Sequence, residues 1–330
     1  MISRRNLVLG TGMAAFLSAL PSLAQQGKVP RIGILSARSR STPENPDPLF
    51  DAFMRGMREL GYVEGKNVTI EWRFADGKYE RLPALAVELV GLRPDVIVSH
   101  TTPGTRDLQR VTQTIPIVVT SVSDPIASGF TSSFARPDKN VTGLSIATVD
   151  LSPKQVELMK IMLPSISKLG VLVDPAISFH AAVLKSVQTS AKKVGLQAVP
   201  VSAGNLQEIE RAFETMAREG VTAAIVPANS LYTQLRRQIA DYALRKRIAT
   251  LVLDQTNVQA GALMAYGANT ADSYRRAATY VDKILKGARP GDLPIEQPTE
   301  FHLIINLKTA KALKLRVPQE LLDRASELIE

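Results

Sequence analysis

From residue 29 onward the chain repeats one pattern of apolar and polar positions. A short β-branched, apolar run gives way to a polar loop, and the loop to 10–16 residues with apolar positions at helical spacing. The runs fall at 31–35, 68–73, 95–99, 115–120 and 141–146, then at 170–174, 196–201, 223–227, 250–254 and 263–266. Most are apolar without a break for four or five residues, as expected of strands covered on both faces of a parallel sheet. The helical stretches are 49–60, 83–92, 105–114, 154–163, 180–194, 206–219, 232–246 and 272–285. In the first of them Phe50, Phe53, Met54, Met57 and Leu60 share a face, and Gly61 ends it.

Such alternation predicts right-handed βαβ crossovers and a doubly wound α/β architecture. About ten strands are too many for one compact sheet and predict two sheets of five, in two similar Rossmann-like lobes. The length, 330 residues, suits two domains of roughly 150. No low-complexity linker separates them, so the lobes are expected to join through short crossing strands around 143–150 and 267–270.

Composition narrows the function classes. At 45% hydrophobic and 22% charged residues, disorder and coiled coil are excluded. The absence of cysteine removes disulfides, thiolate metal sites, a cysteine nucleophile and a lipid-modified cysteine. His100, His180 and His302 lie too far apart in sequence to suggest a metal site. No glycine-rich phosphate loop, zincin motif or nucleophile elbow follows any predicted strand, so neither a cofactor nor an enzyme is expected. Ser99, His100 and Asp124 can be sketched as a triad, but one adjacent Ser–His pair is unremarkable in a chain of this size. The net charge of +9 raises nucleic acid as a partner. The basic residues, however, are interleaved with acids, and the densest runs, Arg236-Arg237 and Arg245-Lys246-Arg247, sit at helical spacing on one predicted surface helix. A solvated face is the better reading, and no nucleic-acid partner is expected.

Residues 1–24 read as a cleaved export signal. A basic head with Arg4 and Arg5 precedes 14 uncharged residues, 7–20, and the small residues Ser22 and Ala24. Ser3-Arg4-Arg5-Asn6-Leu7 fits either a twin-arginine motif, with Leu7 at its usual Phe position, or the basic head of a general secretory signal.

Ligands of open α/β sheets sit beyond the carboxyl ends of the strands, so the loops there are the candidate site. In the first lobe they offer Ser36, His100, Thr101, Thr102, Ser121 and Asp124; in the second, Asp174, Ser178, Asn229 and Asp254. Ser, Thr, Asn and Asp at these turns also cap helices, and either role suits each residue taken singly. Taken together, six polar loops without bulky apolar tips predict a polar cleft. Thr101-Thr102 ahead of Pro103-Gly104 would seat a carboxylate, and Asp124, Asp174 or Asp254 would receive an ammonium.

Four stretches carry a family likeness: FMRGMRELGYVEGKNV (53–68), ARPDKNVTGL (135–144), SYRRAATYVDKILKGARP (273–290) and INLKTAKAL (305–313). They resemble the substrate-binding proteins of ABC transporters, in the group that includes tryptophan- and tyrosine-binding members. The resemblance runs from about residue 29 to the end of the chain. It implies a type 1 periplasmic-binding-protein fold: two lobes, three crossings, and a hinge that closes on one small molecule such as an amino acid, an aromatic acid or another small carboxylate. It also implies that the chain returns late to the first lobe, giving 29–148 plus 271–298 for that lobe and 149–270 plus 299–330 for the other. The implied partners are the small-molecule ligand and the transporter's membrane permease, the implied location is the periplasm, and the implied state is a monomer. The loop Ser36-Ala37-Arg38-Ser39-Arg40-Ser41 departs from the family pattern. Two alternatives stay open: a ligand-sensing protein that feeds a receptor, and a two-lobed α/β enzyme.

Overall fold

The computed structural model describes residues 29–43, 46–146 and 148–330; the signal reading of 1–24 lies outside them. The first lobe is built on β1 (Arg31–Ser36), α1 (Pro48–Glu59), β2 (Thr69–Phe74), α2 (Leu82–Gly91), β3 (Val96–Ser99), α3 (Thr102–Val111), β4 (Ile117–Ser123) and β5 (Val141–Ile146). Its five strands are all parallel, in the order β2-β1-β3-β4-β5. Sequence order reverses between β1 and β3, which places the ligand crevice of a doubly wound sheet at the loops that follow those two strands.

The second lobe runs through α4 (Thr148–Met162), β6 (Lys168–Val173), α5 (His180–Lys193), β7 (Gln197–Ser202), α6 (Leu206–Arg218), β8 (Ala223–Ile225), α7 (Ser230–Gln234), α8 (Arg236–Arg245), β9 (Ala249–Val252), α9 (Gln255–Gln259) and β10 (Met264–Gly267). The order β7-β6-β8-β9-β10 repeats the topology of the first sheet, with its own reversal between β6 and β8. The chain then returns as α10 (Thr270–Leu285), which packs on α1 and on the first sheet. It crosses back to add β11 (His302–Asn306), α11 (Leu307–Ala312), α12 (Gln319–Arg324) and β12 (Glu327–Ile329) to the second lobe.

The second sheet therefore has seven strands, not five, and β11 runs antiparallel to β10. These two strands escape the periodicity reading for a physical reason. β11 is a five-residue run bounded by His302 and Asn306, and β12 is three residues, two of them exposed. The single helix predicted over 232–246 is two helices, broken at Leu235.

Local chemistry explains why α1 starts and stops where it does. Asp47 caps it by accepting from the backbone N–H groups of Leu49 and Phe50, and Pro48 stands at the first helical position, where a missing N–H costs nothing. At the other end Gly61, with φ +87°, turns the chain out of the helix. Between these ends Leu49, Phe50, Phe53 and Met57 bury one face against Tyr274, Ala277, Ala278 and Val281 of α10. Burying side chains of this size stabilises by about 1.5–3 kcal/mol each. That contact ties the returning helix to the first lobe and brings Tyr274 to the edge of the cleft.

Candidate functional site

Loops from the carboxyl ends of both sheets enclose a cavity of about 70 Å³. The first lobe contributes Arg38, His100, Thr101, Thr102, Ser121 and Tyr274 to its wall; the second contributes Ile177, Phe179, Asn229, Ser230, Asp254 and Asn257. A chamber of about 170 Å³ adjoins it and shares Leu49, Leu253, Asp254 and Thr270 as walls. The lobes touch around the cavity. Tyr79 Oη donates to Asn229 Oδ1 at 2.9 Å, Gln234 Nε2 to Ser39 Oγ at 3.1 Å, and Arg106 Nη2 to Ser178 Oγ at 3.2 Å. Three hydrogen bonds across the cleft describe a closed form.

Six of the ten residues expected at the site line this cavity: His100, Thr101, Thr102, Ser121, Asn229 and Asp254. Ser36, Asp124, Asp174 and Ser178 do not line it. Ser36 is buried behind the wall, its hydroxyl holding the turn at Arg38 by accepting from the Arg38 N–H at 3.0 Å. Asp124 faces solvent and accepts from Ala127 N–H at 2.9 Å. The carboxylate of Asp174 is spent within its own lobe, on Ala176 N–H and on Asn229 Nδ2 at 2.8 Å, so it orients Asn229 rather than a ligand. Ser178 sits at the rim, engaged by Arg106.

Arg38, Tyr79, Asn257 and Tyr274 were not among the expected residues. Arg38 lies in the loop that follows β1. Its Nε donates to Asp47 Oδ2 at 2.7 Å and its Nη2 to Asp47 Oδ1 and to Tyr274 Oη, both at 3.3 Å, which leaves Nη1 unused by either partner. The guanidinium also lies 4.8 Å from the Phe50 ring centroid and 5.5 Å from that of Tyr274. Burial works to discharge it, yet the phenol of Tyr274 and the carboxylate of Asp47 outweigh burial and raise its pKa. Burial likewise pushes the Tyr79 phenol up to about 12, so it crosses the cleft as a neutral donor.

The turn before α3 is narrower as an anion seat than its sequence suggests. Pro103 has no N–H, and the Gly104 N–H is taken by Thr101 Oγ1 at 3.1 Å. Thr102, whose Oγ1 accepts from Ser123 N–H, keeps its hydroxyl hydrogen for a ligand. On the opposite wall Asp254 caps α9 through Oδ1 alone, which accepts from the N–H groups of Thr256 and Asn257. The triad sketch has no geometry behind it. Ser99 Oγ accepts from Thr105 at 2.9 Å, and neither ring nitrogen of His100 has a hydrogen-bond partner.

Both buried histidines are held neutral. For His100, burial and then the charge of Arg38 press the pKa well below its ordinary value, against an opposing pull from the Leu35 backbone, which lies near the ring but outside hydrogen-bonding geometry. For His180, burial lowers it, while the Ala228 carbonyl and Asp174 act the other way. His180 Nδ1 accepts from Asp174 N–H and Nε2 donates to Ala228 O, both at 3.0 Å, an arrangement only the neutral ring satisfies. A base whose folded pKa is depressed contributes stability above its unfolded pKa, about 6.5, and loses it as pH falls toward the folded value. His180 is held within one lobe, so the urea midpoint should fall between pH 7.5 and pH 5.5, and His180→Gln should flatten the fall. A midpoint independent of pH over that interval would contradict the assignment.

Two lobes of repeated topology, closing on a cavity at the carboxyl ends of both sheets, define the class: a two-lobed α/β ligand-binding protein. Residues 46–329 match the family described as ABC transporter substrate binding protein, and the chain belongs to that family, whose members bind substrate without turning it over. Among its relatives is the tyrosine-binding protein of Clostridioides difficile (strain R20291), 26% identical over 265 residues that span 80% of this chain and 76% of that one. A conserved domain protein from Vibrio cholerae superposes with TM-score 0.82 at 27% identity, covering 91% of this chain and all of the other. A domain from Streptococcus pneumonia in complex with L-Trp gives the same TM-score at 23% identity, over 91% of this chain and 99% of its own. Among the described residues no helix is long and apolar enough to cross a membrane.

Proposed function

We propose that this chain captures one amino acid in the cleft between its lobes, in the periplasm, and presents it to a membrane permease. The lobes are taken as 29–148 plus 271–298 and 149–270 plus 299–330, hinged at the three crossings. One observation carries the reading: the cavity is polarised across the cleft. Its first-lobe wall offers donors, with Arg38 and the Thr102 hydroxyl beside the positive end of α3, whereas Asp254 on the second lobe offers a carboxylate. An α-amino acid laid across it places its carboxylate on the first lobe and its ammonium on the second, so closure engages both ends at once. The adjoining chamber behind Leu49 and Leu253 gives a side chain somewhere to go, and the tyrosine-binding relative makes an aromatic side chain the first to test.

Calorimetric titration with L-tyrosine and L-tryptophan tests this. Asp254→Asn keeps a good helix cap but removes the charge, and it should weaken binding by roughly 1.5–3 kcal/mol, the scale of a charge-assisted hydrogen bond. Thr102→Val, equal in shape, should cost roughly 0.5–1.5 kcal/mol of binding as a neutral hydrogen bond. Undiminished binding by Asp254→Asn rules out an ammonium at that wall, and a carboxylate without an amine then becomes the better ligand.

A further inference from the structure

Buried polar groups are nearly always hydrogen-bonded, and those that are not call for an explanation. Among the described residues, two side chains that line the cleft cavity carry buried polar atoms with no partner: His100, through both ring nitrogens, and Asn257, through Oδ1. They stand on opposite lobes, His100 just after β3 and Asn257 within α9, and are only 4% and 9% exposed. Thr120, Asn140, Ser152, Tyr232 and Gln234 also carry such atoms, but none of these lines the cavity. The His100 ring is fixed edge-on to Phe50 at 5.5 Å and lies 6.3 Å from Tyr274. Asn257 is held by its own backbone N–H on Asp254.

We infer that His100 and Asn257 clamp the ligand from the two lobes, and that together they oppose closure of the empty cleft. This rests on the cleft's being the ligand site. Asn257 Oδ1 can only accept, and its residue shares a wall of the cavity with Asp254. A ligand group that serves both must bring at least two N–H bonds, which a free primary ammonium does and an N-acylated or quaternary nitrogen does not. A neutral imidazole brings one donor and one acceptor; beside Arg38 and Thr102 its donor suits the ligand's carboxylate. With the cleft closed and empty, both side chains bear the full desolvation cost of unmade hydrogen bonds. Opening returns them to water, and the ligand satisfies them in the closed form. Ligand-driven closure is thereby written into two side chains.

The test compares ligand-free and titrated protein. In small-angle scattering without ligand, His100→Phe and Asn257→Leu should be more compact than the parent protein, because closure no longer strands a polar group. In titrations with L-tyrosine and L-tryptophan the same variants should bind roughly 5- to 150-fold more weakly. His100→Gln, which retains a donor and an acceptor, should keep more of the affinity than His100→Phe, and N-acetylated amino acids should not bind. Variants that scatter like the parent without ligand overturn the inference. So does weaker binding accompanied by expansion and a lower unfolding midpoint, the mark of a packing defect. If the parent binds neither amino acid, the amino-acid reading falls. The ligand-free scattering still decides the clamp: compaction of the variants supports it, and unchanged profiles refute it.

Discussion

Arg38→Met should destabilise the protein by about 3 kcal/mol, near the lower end of what removing one partner of a buried ion pair costs. Arg38 and Asp47 meet at 2.7 Å with side-chain exposures of 7% and 13%, so water screens them little. The variant would leave the Asp47 carboxylate buried and facing a thioether. Two features keep the loss from reaching the upper end of the range. Asp47 still accepts from Leu49 and Phe50 N–H as the cap of α1, and Arg236 of α8 is near enough for its charge to be felt by Asp47 and Asp254. A loss of this size should lower the thermal midpoint by roughly 6 °C or more. Arg38→Lys separates charge from shape. It keeps the positive charge but loses the two-pronged contact with Asp47 and the stacking on Phe50 and Tyr274, so it should recover only part of the stability. A midpoint for Arg38→Met within 1 °C of the parent would place the pair among solvated ones, which contribute little.

The same pair shows where sequence reading stops. β3 is found inside the stretch expected, 95–99, because a covered parallel strand announces itself in an apolar run, here Val96-Ile97-Val98. Thr101, Asn229 and Asp254 were legible because each closes a strand and opens a helix, and each does cap one. That local signal does not distinguish a cap that faces the cleft from one that does not, so Asp174, which props Asn229 from behind, looked equivalent to Asp254. Arg38 was visible only as a departure from pattern; nothing nearby foretold that it would be sealed against Asp47 and roofed by a tyrosine 236 residues later. Tyr274 reads as one more apolar position of a helix, and its place at the cleft follows from the return of α10 to α1. Asn257 lies in α9, just past its cap Asp254. Its role rests on an unmet hydrogen bond, which only the assembled cavity reveals. Burial and long-range return decide these residues, and hydrophobic periodicity records neither.

The crossing strands supply the second large effect: Gly143→Ala should destabilise by roughly 3–5 kcal/mol, combining a strained backbone with a forced repacking. Gly143 has φ +126°, where L side chains are rarely found, and a Cβ there would lie 2.2 Å from Val119 O and 2.7 Å from Val119 N. Both contacts are backbone atoms of β4, so no side chain can swing aside. The β4–β5 ladder is already irregular beyond Val119, where its register shifts before resuming at Val122. On its other side Gly143 O accepts from Glu296 N–H at 2.9 Å, and Ser145 N–H donates to Glu296 O at 2.9 Å, which binds the third crossing to the edge of the first sheet. Displacing β5 would therefore disturb two of the three connections between the lobes. Gly61→Ala provides the control, since its φ of +87° carries the backbone strain while nothing lies within 4 Å of the added carbon. It should cost only roughly 1–3 kcal/mol. Urea unfolding of the two variants separates the contributions. Equal losses would mean that β4 yields freely at Val119, and the crossing would then be a compliant joint in place of a fixed one.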